Sequence, residues 1–381
     1  MTSLLALGQV LRGRVGVYTL SKKIQDVVWL ARNQLNDPVI VKGVSGHPRV
    51  ENERDVLKRF QPRSPYLRPL IDEIQDPAEP TTIVLKHLES DLLEATVQRP
   101  LNIGEIKYVS KRILEALSVM HEDGYVHTDI KLNNVFVNFK KNREDVRFSD
   151  VQLGDFGGSY PQESEWAKSG TPIGAPIWNS PEIIMETPWN TATDIWSFGT
   201  VVISLLYGGD FNIFRPKDVR YGDETYGLEV LKSQFRYFGP FPSKVQEIFN
   251  VETLTSIVHL MDLVPPQAMT PFRHVTEREV AKEDKDFVLK IMKMDWRDRP
   301  TAKELLSDEW FRTEPEEGGG ERRATALREG CKAPGGLVRV DPTRDDSYDH
   351  DSFRPFNWEP VKGSFSQVAT NIAVIKEPFI A

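Results

Sequence analysis

The chain of 381 residues is short of several things, and each shortage narrows what it does. It has one cysteine, Cys331, so no intrachain disulfide can form. That fits a reducing compartment, cytosol and/or nucleus, and leaves Cys331 as a spare thiol in a polar tail. It has no long apolar run. The longest, Thr200–Tyr207, is far too short to span a bilayer, and Met1–Val10 lacks the basic opening and apolar stretch of a signal peptide. It has no excess of positive charge. The net charge is −8, so there is no global footprint for nucleic acid or an anionic membrane, although a basic partner is tolerated. Neither a nucleic-acid nor a membrane partner is expected. No internal repeat is visible, and no glycine occurs between Val17 and Gly43.

What is present is an ordinary globular composition with two patterns in succession. Val27–Leu30 and Val39–Val41 are β-branched and aromatic, and turn-forming Asn36-Asp37-Pro38 separates them. Val50–Phe60 carries Val56, Leu57 and Phe60 on one helical face, and Thr82–Leu85 reads as another strand. Beyond residue 90 helices take over. Ile103–His121 repeats Ile106, Val109, Ile113, Leu114, Leu117 and Met120 at helical spacing, and Gly124 follows as a stop. Ala192–Tyr207 is apolar nearly all round and predicts a buried central helix. Lys244–Leu263 and Glu283–Met294 predict two more. After Thr313 the composition changes to Glu314-Pro315-Glu316-Glu317 and Gly318-Gly319-Gly320, which build no core.

The chemistry sits in a set of ordered motifs. His127-Thr128-Asp129-Ile130-Lys131-Leu132-Asn133-Asn134 has the spacing H-x-D-x-K-x-x-N. Asp155-Phe156-Gly157 follows, then Ser180-Pro181-Glu182, Asp194-Ile195-Trp196-Ser197-Phe198-Gly199 and Arg299-Pro300. Each piece alone is commonplace; an Asp-Phe-Gly tripeptide is usually a loop. Together they resemble the eukaryotic protein kinase superfamily, serine/threonine type, over residues 18–313. The resemblance implies an α+β, two-lobed protein-kinase fold: a small antiparallel β lobe with one helix and a large, mainly helical lobe. It also implies ATP and Mg²⁺ as cofactors. Phosphoryl transfer needs positioning and charge neutralisation more than covalent help. Asp129 would accept the proton of the acceptor hydroxyl, and Lys131 would place a cation beside the transferring group. Asn134 and Asp155 would be hard oxygen ligands for Mg²⁺. Glu182 and Arg299 would form a buried ion pair, and Asp194 would hold the catalytic-loop backbone.

In the small lobe, Val39-Ile40-Val41-Lys42 matches the strand whose lysine holds the α- and β-phosphates. Its partner is expected to be Glu53, with Glu51 as the alternative; the spacing from Lys42 is shorter than the family's. Leu85 would guard the back of the adenine pocket, while Lys86 and Leu88 would offer backbone groups to adenine. The implied division is an N-terminal extension over 1–17, a small lobe over 18–88, a large lobe over 89–313, and a linker with a flexible tail over 314–381. In that tail Phe353, Phe356, Trp358, Phe365 and Phe379 are read as either solvated or docked on the body.

The branch nearest in wording is that of the SR-protein kinases. His127-Thr128-Asp129-Ile130-Lys131 is their catalytic-loop wording, and Gly208-Gly209-Asp210-Phe211 and Phe238-Gly239-Pro240-Phe241-Pro242 resemble the Gly-Asp-Phe stretch and the glycine/proline insert of that branch and its relatives, the cyclin-dependent, MAP and dual-specificity kinases. A protein substrate is implied, an arginine/serine-rich one for that branch, and a monomer is expected. Three departures stand out. The glycine-rich loop is missing: Gln25-Asp26 leads straight to Val27, and Gly13 and Gly16 come too early to serve. Ala175 replaces a threonine, and Asn179 replaces an arginine of the substrate-binding loop. With all the charged groups of the catalytic set present, an active serine/threonine kinase is the leading expectation. A pseudokinase acting as a binding or scaffolding module is the alternative, and a small-molecule phosphotransferase comes third.

Overall fold

The computed structural model describes residues 5–44, 47–142 and 145–312; Cys331 and the 314–381 tail lie outside them. The first part is a closed antiparallel barrel in the order β1-β2-β3-β4-β6-β5. Its strands are β1 Val10–Gly13, β2 Val17–Gln25, β3 Val28–Arg32 and β4 Pro38–Gly43, then β5 Leu70–Asp76 and β6 Thr82–Lys86, with helix α1 Arg49–Phe60 between β4 and β5. Alternation directs side chains to two places. Leu11, Tyr18, Leu20, Trp29, Ala31, Val39, Val41, Ile74 and Val84 fill the barrel. Ile40, Ile83 and Leu85 point the other way, into the core shared with Val56, Leu57 and Phe60 of α1. β4 and β6 are thus buried on both faces.

β1 lies in the segment expected to be an extension, yet it pairs with both β2 and β5 and closes the barrel. The β1–β2 turn contains Gly13 and Gly16, and its amides have an acceptor of their own. Asp72 accepts from Arg14 N (2.9 Å), Val15 N (3.1 Å) and Gly16 N (3.0 Å), and from the Tyr18 hydroxyl (3.0 Å). A row of amides of this kind is an anion-binding nest; here a carboxylate of the same chain fills it. The next hairpin is tighter. Gln25 pairs with Val28 across Asp26-Val27, and Lys23 Nζ meets Asp26 Oδ1 at 2.8 Å. No glycine-bearing loop overhangs the cleft there.

The second part runs through β7 Ser90–Asp91, α2 Leu92–Gln98, α3 Ile103–Glu122, β8 Tyr125–Val126, β9 Val135–Phe139, β10 Phe148–Leu153 and β11 Tyr160–Pro161. It continues with α4 Glu165–Lys168, α5 Pro181–Ile184, α6 Ala192–Tyr207, α7 Tyr226–Phe238, α8 Val251–Leu263, α9 Lys282–Ile291 and α10 Ala302–Leu306. α3 opens with a reciprocal cap, Asn102 and Glu105, and its predicted apolar stripe is buried. α6 spans the predicted residues and is buried along nearly its whole length. The helix expected over Lys244–Leu263 is broken. A short 3₁₀ turn, Ser243–Glu247, ends, and the Asn250 side chain accepts from Thr253 N (2.8 Å) to start α8 afresh. Among the described residues, no helix is long and apolar enough to cross a membrane.

Candidate active site

The segment between β8 and β9 carries Asp129, Lys131 and Asn134, and its shape is imposed from below. Asp194, buried at the start of α6, accepts from His127 N (2.7 Å), Thr128 N (2.9 Å) and the His121 ring (2.9 Å). These bonds hold Thr128 at φ +74°, a left-handed conformation unusual for a β-branched residue. Its hydroxyl donates to Gly158 O at 2.7 Å. Under the loop, the His127 ring reaches Gly154 O at 3.1 Å and packs edge-on against Phe156 at 5.0 Å. Burial pushes the His127 pKa below its ordinary value, with the nearby carboxylates acting the other way.

On this frame Asp129 Oδ2 receives Lys131 Nζ (2.9 Å) and Asn134 Nδ2 (2.9 Å). Its other oxygen, Oδ1, is buried without a hydrogen-bond partner. A buried acceptor left unfilled costs about 1–3 kcal/mol, so this oxygen has an unused hydrogen-bonding capacity. Asn134 spends its amide nitrogen on Asp129, donating also to its carbonyl (2.8 Å), so the amide oxygen is the atom that could hold a metal.

The small lobe delivers the cation. Lys42, near the end of β4, contacts Glu53 Oε2 at 3.0 Å, Glu53 Oε1 at 3.2 Å and Asp155 Oδ1 at 3.2 Å. Glu53, rather than Glu51, faces inward from α1; Glu51 meets Thr81 Oγ1 at 3.1 Å instead. Burial alone would raise the Asp155 pKa, but Lys42, Arg49 and Lys131 outweigh it and hold the carboxyl well below the ordinary range. Asp155 is therefore anionic at any physiological pH, and its φ of +64° turns the side chain into the cleft. Asn52 of α1 fastens the following turn, donating to Gly157 O (3.1 Å) and Ser159 O (2.9 Å). The donor set fits Mg²⁺: one permanently ionised carboxylate and one amide oxygen, with room for substrate phosphates in the remaining positions. Among the described residues, no group of three or more His, Cys, Asp or Glu could hold a metal by itself.

Leu85 and Leu88 are both buried. Lys86 is tied into the protein by its side chain and its backbone. Its side chain turns to Asp150 Oδ1 (3.2 Å), its amide donates to Pro69 O (2.9 Å), and its carbonyl accepts from Arg68 Nε (2.8 Å). Both backbone groups of Lys86 thus have a partner within the protein. Two arginines thus belong to the site without being legible in the sequence. Arg68 lies in an extended link beside Pro69 that reads as surface. Arg49 opens α1 and puts a guanidinium nitrogen 3.9 Å from Asp155 Oδ2. No spacing or motif marks either one.

The chain belongs to the protein kinase domain family, whose signature matches residues 7–311. It is 27% identical over 183 residues to the serine/threonine-protein kinase pakE of Dictyostelium discoideum, covering 46% of this chain and 19% of that protein. It is 29% identical over 238 residues to the CTD kinase subunit alpha of Schizosaccharomyces pombe, covering 61% of this chain and 36% of that one. The matched part is well under two thirds of the length of either relative. The crystal structure of the yeast RNA Pol II CTD kinase CTDK-1 complex superposes with a TM-score of 0.59 at 18% identity, over 83% of this chain and 98% of that one. That likeness shows the two-lobed α+β kinase fold.

Proposed function

We propose that the chain is a serine/threonine protein kinase that moves the γ-phosphoryl group of ATP to a protein hydroxyl. One observation carries the reading: the unpartnered buried Oδ1 of Asp129 shares a cleft with Lys131, with Asp155 and with the closed Lys42–Glu53 pair. Lys42, held by Glu53, neutralises the α- and β-phosphates. Asp129 Oδ1 accepts the proton of the attacking hydroxyl and aims its oxygen at the γ-phosphorus. Lys131 Nζ, anchored on Asp129, sits beside the transferring group. Asn134 and Asp155 are the residues that would hold Mg²⁺, which when bound neutralises charge on the phosphates.

Within the family we place the chain nearest the SR-protein-kinase-like branch, on the wording of its catalytic loop; CTD kinase names a different branch. An arginine/serine-rich protein is the substrate class this placement favours, and the chain's net charge of −8 suits a basic partner. A monomer acting in the cytosol or nucleus completes the reading. The test is incubation of purified protein with radiolabelled ATP and Mg²⁺, using an arginine/serine-rich peptide and a generic basic protein as acceptors. Label on serine or threonine supports the kinase reading, and label on the first acceptor alone supports the branch. No transfer to either, with ATP bound, leaves the pseudokinase in its place.

A further inference from the structure

Arg68 combines features that rarely occur together. It is only 5% exposed. Its Nε donates to the Lys86 carbonyl at 2.8 Å, and its guanidinium lies 4.0 Å from the centre of the Phe136 ring. Among the described residues it forms no ion pair within salt-bridge distance. The stack needs Gly154: a Cβ there would lie 2.8 Å from Phe136 Cε2 and 3.2 Å from Arg68 Cδ. Phe136 stands two residues after Asn134 on β9, and Gly154 immediately precedes Asp155. The guanidinium therefore spans from the Lys86 carbonyl to an aromatic floor beside both residues that would hold Mg²⁺. A nucleotide whose phosphates reach Lys42 and Asp155, and whose base reaches Lys86, has to put that base in the same place.

We propose that Arg68 occupies the base subsite of this cleft and sets its nucleotide affinity, so that ATP binds only by displacing Arg68 from the Lys86 carbonyl and the Phe136 ring. A carbonyl has two lone pairs, so the hydrogen bond alone would leave room for a second donor. The stack is what excludes the base, because a planar guanidinium and a planar purine compete for one aromatic face. Electrostatics agrees: burial lowers the Arg68 pKa to about 10, with Glu53 and Asp155 compensating only in part. A buried charge that is hydrogen-bonded but not closely paired is poorly stabilised where it is, so its displacement toward those carboxylates is feasible. The subsite is self-filled yet openable.

The inference rests on the kinase reading for the position of the nucleotide, and its test reads binding rather than transfer. Mg-ATP and Mg-tripolyphosphate are titrated calorimetrically into the parent, Arg68→Leu and Arg68→Ala. Removing one charge-assisted hydrogen bond from the free state should tighten Mg-ATP by about 10–100-fold in both variants. Mg-tripolyphosphate has no base and should bind all three proteins alike. Thermal melts accompany the titrations, and Arg68→Leu, close in bulk and uncharged, should melt at or above the parent. The proposal is overturned if neither folded variant binds Mg-ATP more tightly than the parent. It is equally overturned if tripolyphosphate tightens as much as ATP, since Arg68 would then act on the phosphates. Loss of transfer with tightened ATP binding would instead count against the kinase reading alone.

Discussion

In the large lobe the candidate catalytic loop is held by groups buried beneath it. Asp194 ties down two successive amides of the catalytic loop, and Arg299 grips Glu182 through both guanidinium ends at 2.6 and 2.8 Å while also donating to Ala192 O and Lys293 O. In the small lobe the corresponding elements serve the protein itself. The glycine-bearing turn cradles Asp72, the hairpin nearest the cleft is a two-residue turn, and Lys86 is engaged by Arg68 and Pro69. Lys42 and Glu53 are the exception. The loop that carries Asp129 thus rests on buried hydrogen bonds from α6, whereas the small-lobe turns are closed by the protein's own side chains and strand pairing.

The comparison can be broken by substitution. The largest effect is expected at Asp129. Asp129→Asn keeps the shape but removes the base, so initial transfer rates should fall about 10²–10⁴-fold while Mg-ATP affinity stays within error. Parent-like transfer by this variant would sink the role given to Asp129 Oδ1. Next comes the large-lobe ion pair. Arg299→Ala leaves Glu182 buried and unpaired, and urea unfolding should show a loss of about 3–5 kcal/mol. A loss under 1 kcal/mol would mean that the large lobe is not anchored there.

In the small lobe, Asp72→Ala strands the turn amides at Arg14, Val15 and Gly16. The expected loss of stability is about 1–3 kcal/mol, with unchanged Mg-ATP affinity. A marked change in affinity would show instead that the glycine-bearing turn reaches the phosphates. The smallest effect is a pH slope. The folded pKa of His127 lies below its ordinary value because the ring is buried, so between the two values the unfolded chain binds more protons. Stability should therefore fall as pH drops below about 6.5, by up to about 1.4 kcal/mol per unit for this group. His47 and His87 are shifted the same way, again by burial first. His127→Phe should reduce the slope without abolishing it, and an unaltered slope would locate the effect in those two.

Much of this was legible beforehand. Strand and helix periods are local patterns and suffice for the central helix α6, while the two lobes and the candidate set Asp129, Asn134 and Asp155 follow from the family resemblance that the motif order carries. The choice of Glu53 over Glu51 came from the family pattern, in which a leucine such as Leu57 follows four residues later, and Glu53 is the one buried on α1. Three things were not legible. The pairing of β1 with β5 joins residues more than 60 positions apart in the chain, and nothing local encodes it. The use of the Gly13–Gly16 amides depends on where Asp72 arrives. Arg68 reads as an ordinary arginine in an extended link, and its burial depends on Phe136, Gly154 and Lys86 converging from three other segments. Short-range chemistry is written in spacing, but the occupant of a shared cavity is decided only when distant segments close around it, because burial and hydrogen-bond partnership are properties of the packed chain.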